Sequence, residues 1–131
     1  MGAAIESFDN AGAVCVPRSR FAPVKTTSDL FALRSDAFII TPDFRVVLAP
    51  SRRAAPVVNL DEKRFKLVDQ MEALAPVPPS LLQCDRLTVT GPVLFSQSGI
   101  ILVGNVGFAN YKDSPVEVPA GTFENKSVDL P

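Results

Sequence analysis

Apolar and polar positions change texture several times along the chain. Near the start, Ala4, Ile5, Phe8, Ala11 and Gly12 fall at helical spacing, with Gly12 placed to end the helix. No capping residue precedes it, which suggests a chain cut from a longer one. Val14, Val16, Pro17 and Pro23 then favour extended backbone. Thr26 followed by Asp29 is a capping-box pattern, and Leu30, Leu33 and Ala37 share one face beside Phe31 and Phe38. A helix over about 27–37 is predicted. Residues 39–60 alternate apolar runs with prolines, as short strands and loops do. Phe65, Val68, Met71 and Ala75, flanked by Leu67 and Leu74, predict a second amphipathic helix that stops before Pro76. From Leu82 onward the pattern is β. Val89, Phe95 and Ile101 are spaced by six, and Val93 and Gly99 share that period. A six-residue period is the trace of a parallel β-helix. "VEVPAGTF" alternates at Val116 and Val118, then turns at Pro119, Ala120 and Gly121. The expected organisation is an α/β piece over 1–80 and an all-β module over 81–131, divided at the proline-rich 76–79.

Composition narrows the function classes. With 131 residues, 47% hydrophobic, the chain is one domain's worth and long enough for a real core. A net charge of −1 argues against nucleic acid or a membrane surface as partner, so any basic function is local. No histidine is present, which removes Ser-His-Asp and Cys-His catalysis and makes zinc a poor fit. Cys15 and Cys84 sit in no ligand spacing and read as inert thiols of a reducing, cytoplasmic compartment. No secretion signal is recognisable. Residues 87–111 carry no charge, but their glycines and polar residues mark buried strands rather than a membrane span. The sequon at Asn125 reads as chance.

One stretch carries candidate chemistry. "VPRSRFAPVKTTSDL" places Arg18, Arg20 and Lys25 immediately before the capped helix. Arginine offers a planar fork of N–H donors, lysine a compact mobile charge, and a helix N-terminus free N–H groups. On extended backbone Arg18 and Arg20 point to one side. Phosphoryl or nucleotidyl transfer asks little more of a protein than such positioning and charge. Basic loops are also commonly just solvated, and Arg-Ser-Arg alone does not separate the two readings. Arg52 and Arg53 lie in a Pro/Ala loop. Lys63, Arg64 and Lys66 share a helix with Asp61, Glu62 and Asp69, as a solvated face does. No glycine-rich phosphate loop and no carboxylate pair for a metal stands out. Two classes stay open: part of a phosphate-handling enzyme, or a non-catalytic interaction module.

At "VPRSRFAPVKTTSDLFAL" the chain closely resembles eukaryotic UTP–glucose-1-phosphate uridylyltransferases, also called UDP-glucose pyrophosphorylases. Within the run only Ala22 departs from the usual family form, which has leucine there. "GAAIESFDNA", "LQCDRLTVTGPVLF" and "VPAGTFENK" also resemble family segments, and the match is weakest over 39–60. The resemblance implies formation of UDP-glucose and pyrophosphate from UTP and glucose 1-phosphate, with Mg2+ in the full-length enzyme. It implies that Lys25 reaches the phosphates, with Arg18 and Arg20 in support. It implies a C-terminal parallel, left-handed β-helix, through which a homo-oligomer would form. Because the family is several times longer, the chain is expected to be its C-terminal portion. The nucleotide-binding core, uridine pocket and metal ligands would then lie outside this chain, and the piece alone would be inactive. The alternatives are a non-catalytic oligomerisation or regulatory domain, or a related UDP-sugar pyrophosphorylase.

Overall fold

The β4 strand (Ser80–Thr90) and β6 (Ile100–Ala109) run parallel and form the longest ladder of the molecule. The computed structural model describes residues 2–17 and 23–131. Val89 lies opposite Phe108, 19 positions on, and Ser80 opposite Ile101, 21 positions on. Parallel partners need such long returns, because the chain must come back to the same end before it pairs again. The next return brings β8 (Gly121–Glu124) and β9 (Ser127–Asp129) onto the two halves of β6. On the other side β3 (Val57–Asn59) pairs parallel with the second half of β4. Between them β5 (Val93–Leu94) and β7 (Val116–Glu117) form a separate parallel pair. Among the described residues only β1 (Phe38–Ile40) and β2 (Val46–Leu48) pair antiparallel, as a hairpin off the main body. The architecture is mixed α/β with a mostly parallel sheet.

Each long strand changes direction part-way. The ladder of β4 shifts register between Cys84 and Arg86, and β6 turns at Gly104, whose φ is +67°. A Cβ on Gly104 would lie 2.1 Å from the Asn125 amide oxygen. That oxygen accepts from the Asn105 N–H at 3.0 Å, so one corner is stacked on the next. Gly91, at φ +75°, ends β4 with its α-carbon against the Asn110 carbonyl. Asn110 is buried, donates from its amide to the carbonyls of Pro92 and Ser114, and accepts from the Lys112 N–H.

One hydrophobic core runs through the described residues. Phe31, Ala37, Leu60, Phe65 and Met71 from the helical part join Leu81, Leu87, Val89, Phe95, Ile100, Leu102, Phe108 and Phe123 from the strands. Four rings meet edge to face in series: Phe31 on Phe95 at 5.7 Å, Phe95 on Phe108 at 5.8 Å, Phe108 on Phe123 at 5.1 Å. Each such contact adds roughly 0.5–1.5 kcal/mol beyond burial.

Several expectations change. The first segment is a 3-10 helix over Gly2–Ser7, not an α-helix reaching Ala11. Residues 4–17 are exposed throughout, and a short helix without a packed face is marginal in water. The helix predicted over 27–37 is α1 (Thr27–Arg34). It ends early because Ser35 is extended and its hydroxyl donates to the Ala32 carbonyl at 2.7 Å. Asp36 then reaches across to accept from the Ser80 hydroxyl and the Leu81 N–H. The second helix is two, α2 (Glu62–Phe65) and α3 (Val68–Leu74). The Phe65 carbonyl accepts from the Thr27 hydroxyl, and Leu67 is extended, so the helical ladder is interrupted there. Val68 is consequently exposed while Phe65, Met71 and Ala75 are buried. The six-residue period holds from Val89 to Phe95 but slips at the next step: Ile100 points inward and Ile101 is exposed. The intervening loop turns at Gly99, φ +81°, and is one residue short of the count.

Phe108 stands between two ring partners, so Phe108→Ala is expected to cost about 3–5 kcal/mol in urea denaturation. Gly91→Ala must lose at least as much, because its Cβ would sit 1.8 Å from the Asn110 carbonyl oxygen in a left-handed backbone. A near-neutral result for either would refute this account of the core and its corner.

Candidate functional site

Helix α1 begins with its polar groups already committed. Thr26, the capping residue, accepts from the Asp29 N–H at 3.2 Å. The Asp29 carboxylate accepts in return from the N–H groups of Lys25 and Thr26, both at 2.9 Å, and from the Thr26 hydroxyl at 3.0 Å. The donated Lys25 N–H is the main cause that holds the Asp29 carboxyl below its ordinary value, against partial burial that pushes it up. The capping box thus occupies N–H groups that an anion would otherwise use. What this turn still offers an anion is the exposed Lys25 side chain.

The next two hydroxyls are structural. Thr27 donates to the Phe65 carbonyl at 2.5 Å, and the Ser28 hydroxyl accepts from the Leu60 N–H at 3.1 Å. The first ties the start of α1 to the end of α2, the second to the β3–α2 connection. Asp61 extends the tie: its carboxylate caps α2 through the Lys63 N–H and accepts from the Gly91 N–H at 2.8 Å. The Gly91 bond is the main cause of its lowered pKa. The hydroxyl-rich run therefore fastens α1 to the strand body.

Between these two walls lies a groove of about 820 Å³. Lys25 and Asp29 line it from the α1 side; Asn59, Glu62 and Lys66 line it from the other. Two cations and two carboxylates face the same space. A second groove, about 400 Å³, crosses the outer face of β4, β6 and β9. It carries threonines, Tyr111 and one cation, Arg86, on a sheet with Asp129, and so lacks converging positive charge. The larger groove is the better phosphate candidate on charge. Among the described residues no three Cys, Asp or Glu side chains converge as a metal site. Of the two groove carboxylates, Asp29 already accepts the Lys25 and Thr26 N–H groups, and no residue here is assigned to Mg2+.

Of the three candidate residues, Lys25 lines the groove; Arg18 and Arg20 lie outside the described residues. Lys66 was missed in sequence, where it looked like part of a solvated face, and no local signal links it to Lys25. Arg52, also set aside as a loop residue, donates to the carbonyls of Leu81 and Leu82 at 2.7 and 2.9 Å and braces the start of β4. Cys15 is exposed and Cys84 buried, and neither forms a disulfide. Burial pushes the Cys84 thiol up to about 11. No helix among the described residues is long and apolar enough to cross a membrane.

The chain is similar to one named family throughout. The sequence profile of UTP–glucose-1-phosphate uridylyltransferase matches residues 1–102. UTP–glucose-1-phosphate uridylyltransferase 2 of Dictyostelium discoideum is 40% identical over 97% of this chain and 25% of its own length. The uridylyltransferase of Hordeum vulgare is 39% identical over 99% of this chain and 28% of its own. Among solved structures, a point mutant of Leishmania major UDP-glucose pyrophosphorylase in complex with UDP-glucose superposes with a TM-score of 0.81 at 44% identity. That match covers 98% of this chain and 27% of that one. The Trypanosoma brucei UDP-glucose phosphorylase gives a TM-score of 0.82 at 46% identity, over 99% and 29%. The chain spans about a quarter of the length of the curated relatives it matches.

Because Asp29 is more acidic folded than unfolded, its contribution is present above the ordinary carboxylate range and is lost as pH falls through its lowered value. Asp29→Asn should therefore lower stability by about 0.3–1 kcal/mol near neutral pH, the usual worth of an exposed carboxylate charge in a helix's first turn. The deficit should shrink toward acid in urea titrations run across the acidic range. A deficit independent of pH would show that the carboxylate charge is not what holds this turn.

Proposed function

The chain belongs to the UTP–glucose-1-phosphate uridylyltransferase family, and from that membership we propose that it forms the C-terminal part of an enzyme making UDP-glucose and pyrophosphate from UTP and glucose 1-phosphate. The observation that carries the site reading is the position of Lys25 at the lip of the groove, on a turn fastened on both sides. Its ammonium reaches the phosphates and balances charge that builds on the α-phosphate and the departing pyrophosphate. A cation carried on a fastened turn does this with less reorganisation than one on a free loop. Lys66, on the facing wall, adds a second positive charge, while Asp29 and Glu62 keep the groove from being uniformly basic. Arg18 and Arg20 support the loop that delivers Lys25. Mg2+ would be held by residues of the enzyme other than those described here, so no step is routed through it in this chain.

The two-part division at about residue 80 is kept in this reading: an α/β portion over 1–80 with the phosphate-contacting turn, and a β-helix over 81–131. The stacked parallel returns of β4, β6, β8 and β9 support the β-helix; its left-handedness is carried over from the family. Two unpaired thiols favour a reducing, cytoplasmic setting. A second reading, assembly into a homo-oligomer, is favoured by one feature. Among the described residues, strands β8 and β9 each pair on one side only, with β6, which leaves an open parallel edge at the end of the coil.

The 131-residue chain by itself is expected to form no UDP-glucose from UTP and glucose 1-phosphate. It should nonetheless bind pyrophosphate weakly, with amide shifts in NMR confined to the groove, and Lys25→Ala should abolish those shifts while leaving the fold intact. Pyrophosphate shifts that survive Lys25→Ala unchanged, or that cluster elsewhere, would overturn the assignment.

A further inference from the structure

We propose that Thr27 is a positioning residue, whose hydroxyl bond to the Phe65 carbonyl sets Lys25 and Lys66 at the spacing that lets both ammoniums meet one pyrophosphate. A threonine at the start of a helix is ordinarily its cap, but Thr26 already caps α1. Thr27 is half-buried instead, and its hydroxyl donates at 2.5 Å to a carbonyl 38 positions away. That carbonyl belongs to the peptide unit joining Phe65 to Lys66. A peptide unit is planar, so holding its oxygen orients the backbone that carries Lys66. Toward the other wall, Thr27 is two residues from Lys25, whose N–H is held by Asp29 in the capping box. The far end of the facing wall has supports of its own: Leu60 is buried, its N–H donates to Ser28, and Asp61 accepts from Gly91. The Lys66 end has fewer. There α2 is four residues long, Leu67 is extended, and the Thr27 bond is the hydrogen bond that joins this end to α1. Because the Thr27 proton is spent on that carbonyl, Thr27 acts through the two lysines and not on the ligand. Cations on facing walls share one ligand only while the walls keep their spacing. The assignment rests on the phosphate reading of Lys25.

The quantity to measure is the ratio of pyrophosphate to orthophosphate affinity in the 131-residue chain, from amide shifts in NMR titrations. Orthophosphate is too short to need both walls, so the ratio reports whether the two lysines are held together. Thr27→Val keeps the branched shape and loses the donor. It should weaken pyrophosphate binding roughly tenfold, since ångström-scale misplacement costs up to about a hundredfold, and leave orthophosphate unchanged. Thr27→Ser should restore the ratio. Lys66→Ala should lower the ratio as far, and should add little on top of Thr27→Val, as expected of residues that act as one unit. Asp36→Asn, which weakens ties to Ser80 and Leu81 outside the groove lining, should leave the ratio unchanged. A ratio untouched by Thr27→Val would overturn the positioning role. So would an equal fall in Asp36→Asn, because Thr27 would then merely stabilise the fold. In both cases the phosphate reading stands so long as Lys25→Ala abolishes the pyrophosphate shifts. Shifts that survive Lys25→Ala remove that reading and the positioning role with it. Should Thr27→Val fail to fold, Lys66→Ala decides, since Lys66 is exposed: an unchanged ratio there refutes the shared ligand.

Discussion

Parallel pairing of β4 with β6 is the constraint on which the other elements rest. A parallel ladder cannot be closed by a tight turn, so about twenty residues must leave one end of β4 and return alongside it. That return carries β5 and the loop to Gly99, and the following return repeats the path with β7 and β8, so that β5 pairs with β7 as β6 pairs with β8. The enclosed side of these strands holds Leu87, Val89, Phe95, Leu102 and Phe108. The rings in series then reach out of the strand body to Phe31, which is how α1 comes to be anchored at all.

The site inherits its geometry from that anchor. Helix α1 is only eight residues long, too short to hold its place without help. Phe31 pins its buried side, while Thr27 and Ser28 pin its first turn to Phe65 and Leu60. The cost appears in the neighbouring helix, whose ladder is broken where the Phe65 carbonyl is diverted. The break leaves Lys66 just past the end of α2, on the wall of the groove opposite Lys25. One side-chain hydroxyl thus shapes both walls of the candidate phosphate groove.

Part of this was legible from local signals. Thr26 and Asp29 read as a capping box because both partners of the motif lie within four residues, and the box is present as read. Pro76 ended a helix for the same local reason. The failures are equally specific. Arg52 and Asp61 looked like loop or surface charges, because their partners are carbonyls and N–H groups 29 to 30 positions away. Nothing in the spacing of Ile100 and Ile101 tells which one faces inward. A glycine with positive φ in the preceding turn decides that, and φ is not written in the residue name.

The sequence by itself determined the local grammar and the kinship: where helices cap, where prolines stop them, that the second half is strand, and which family the long Val-Pro-Arg-Ser-Arg run resembles. These depend on residues within a few positions of one another, or on a run long enough to be specific. The tertiary structure alone decided that Thr27 spends its hydroxyl on Phe65, that α2 and α3 are separate, and that Lys25 shares a groove with Lys66. Those outcomes depend on which distant backbone groups find themselves unpaired once the parallel ladder has set the separation of the walls. Buried and half-buried polar groups take the nearest partner that packing provides, and sequence distance places no limit on that choice.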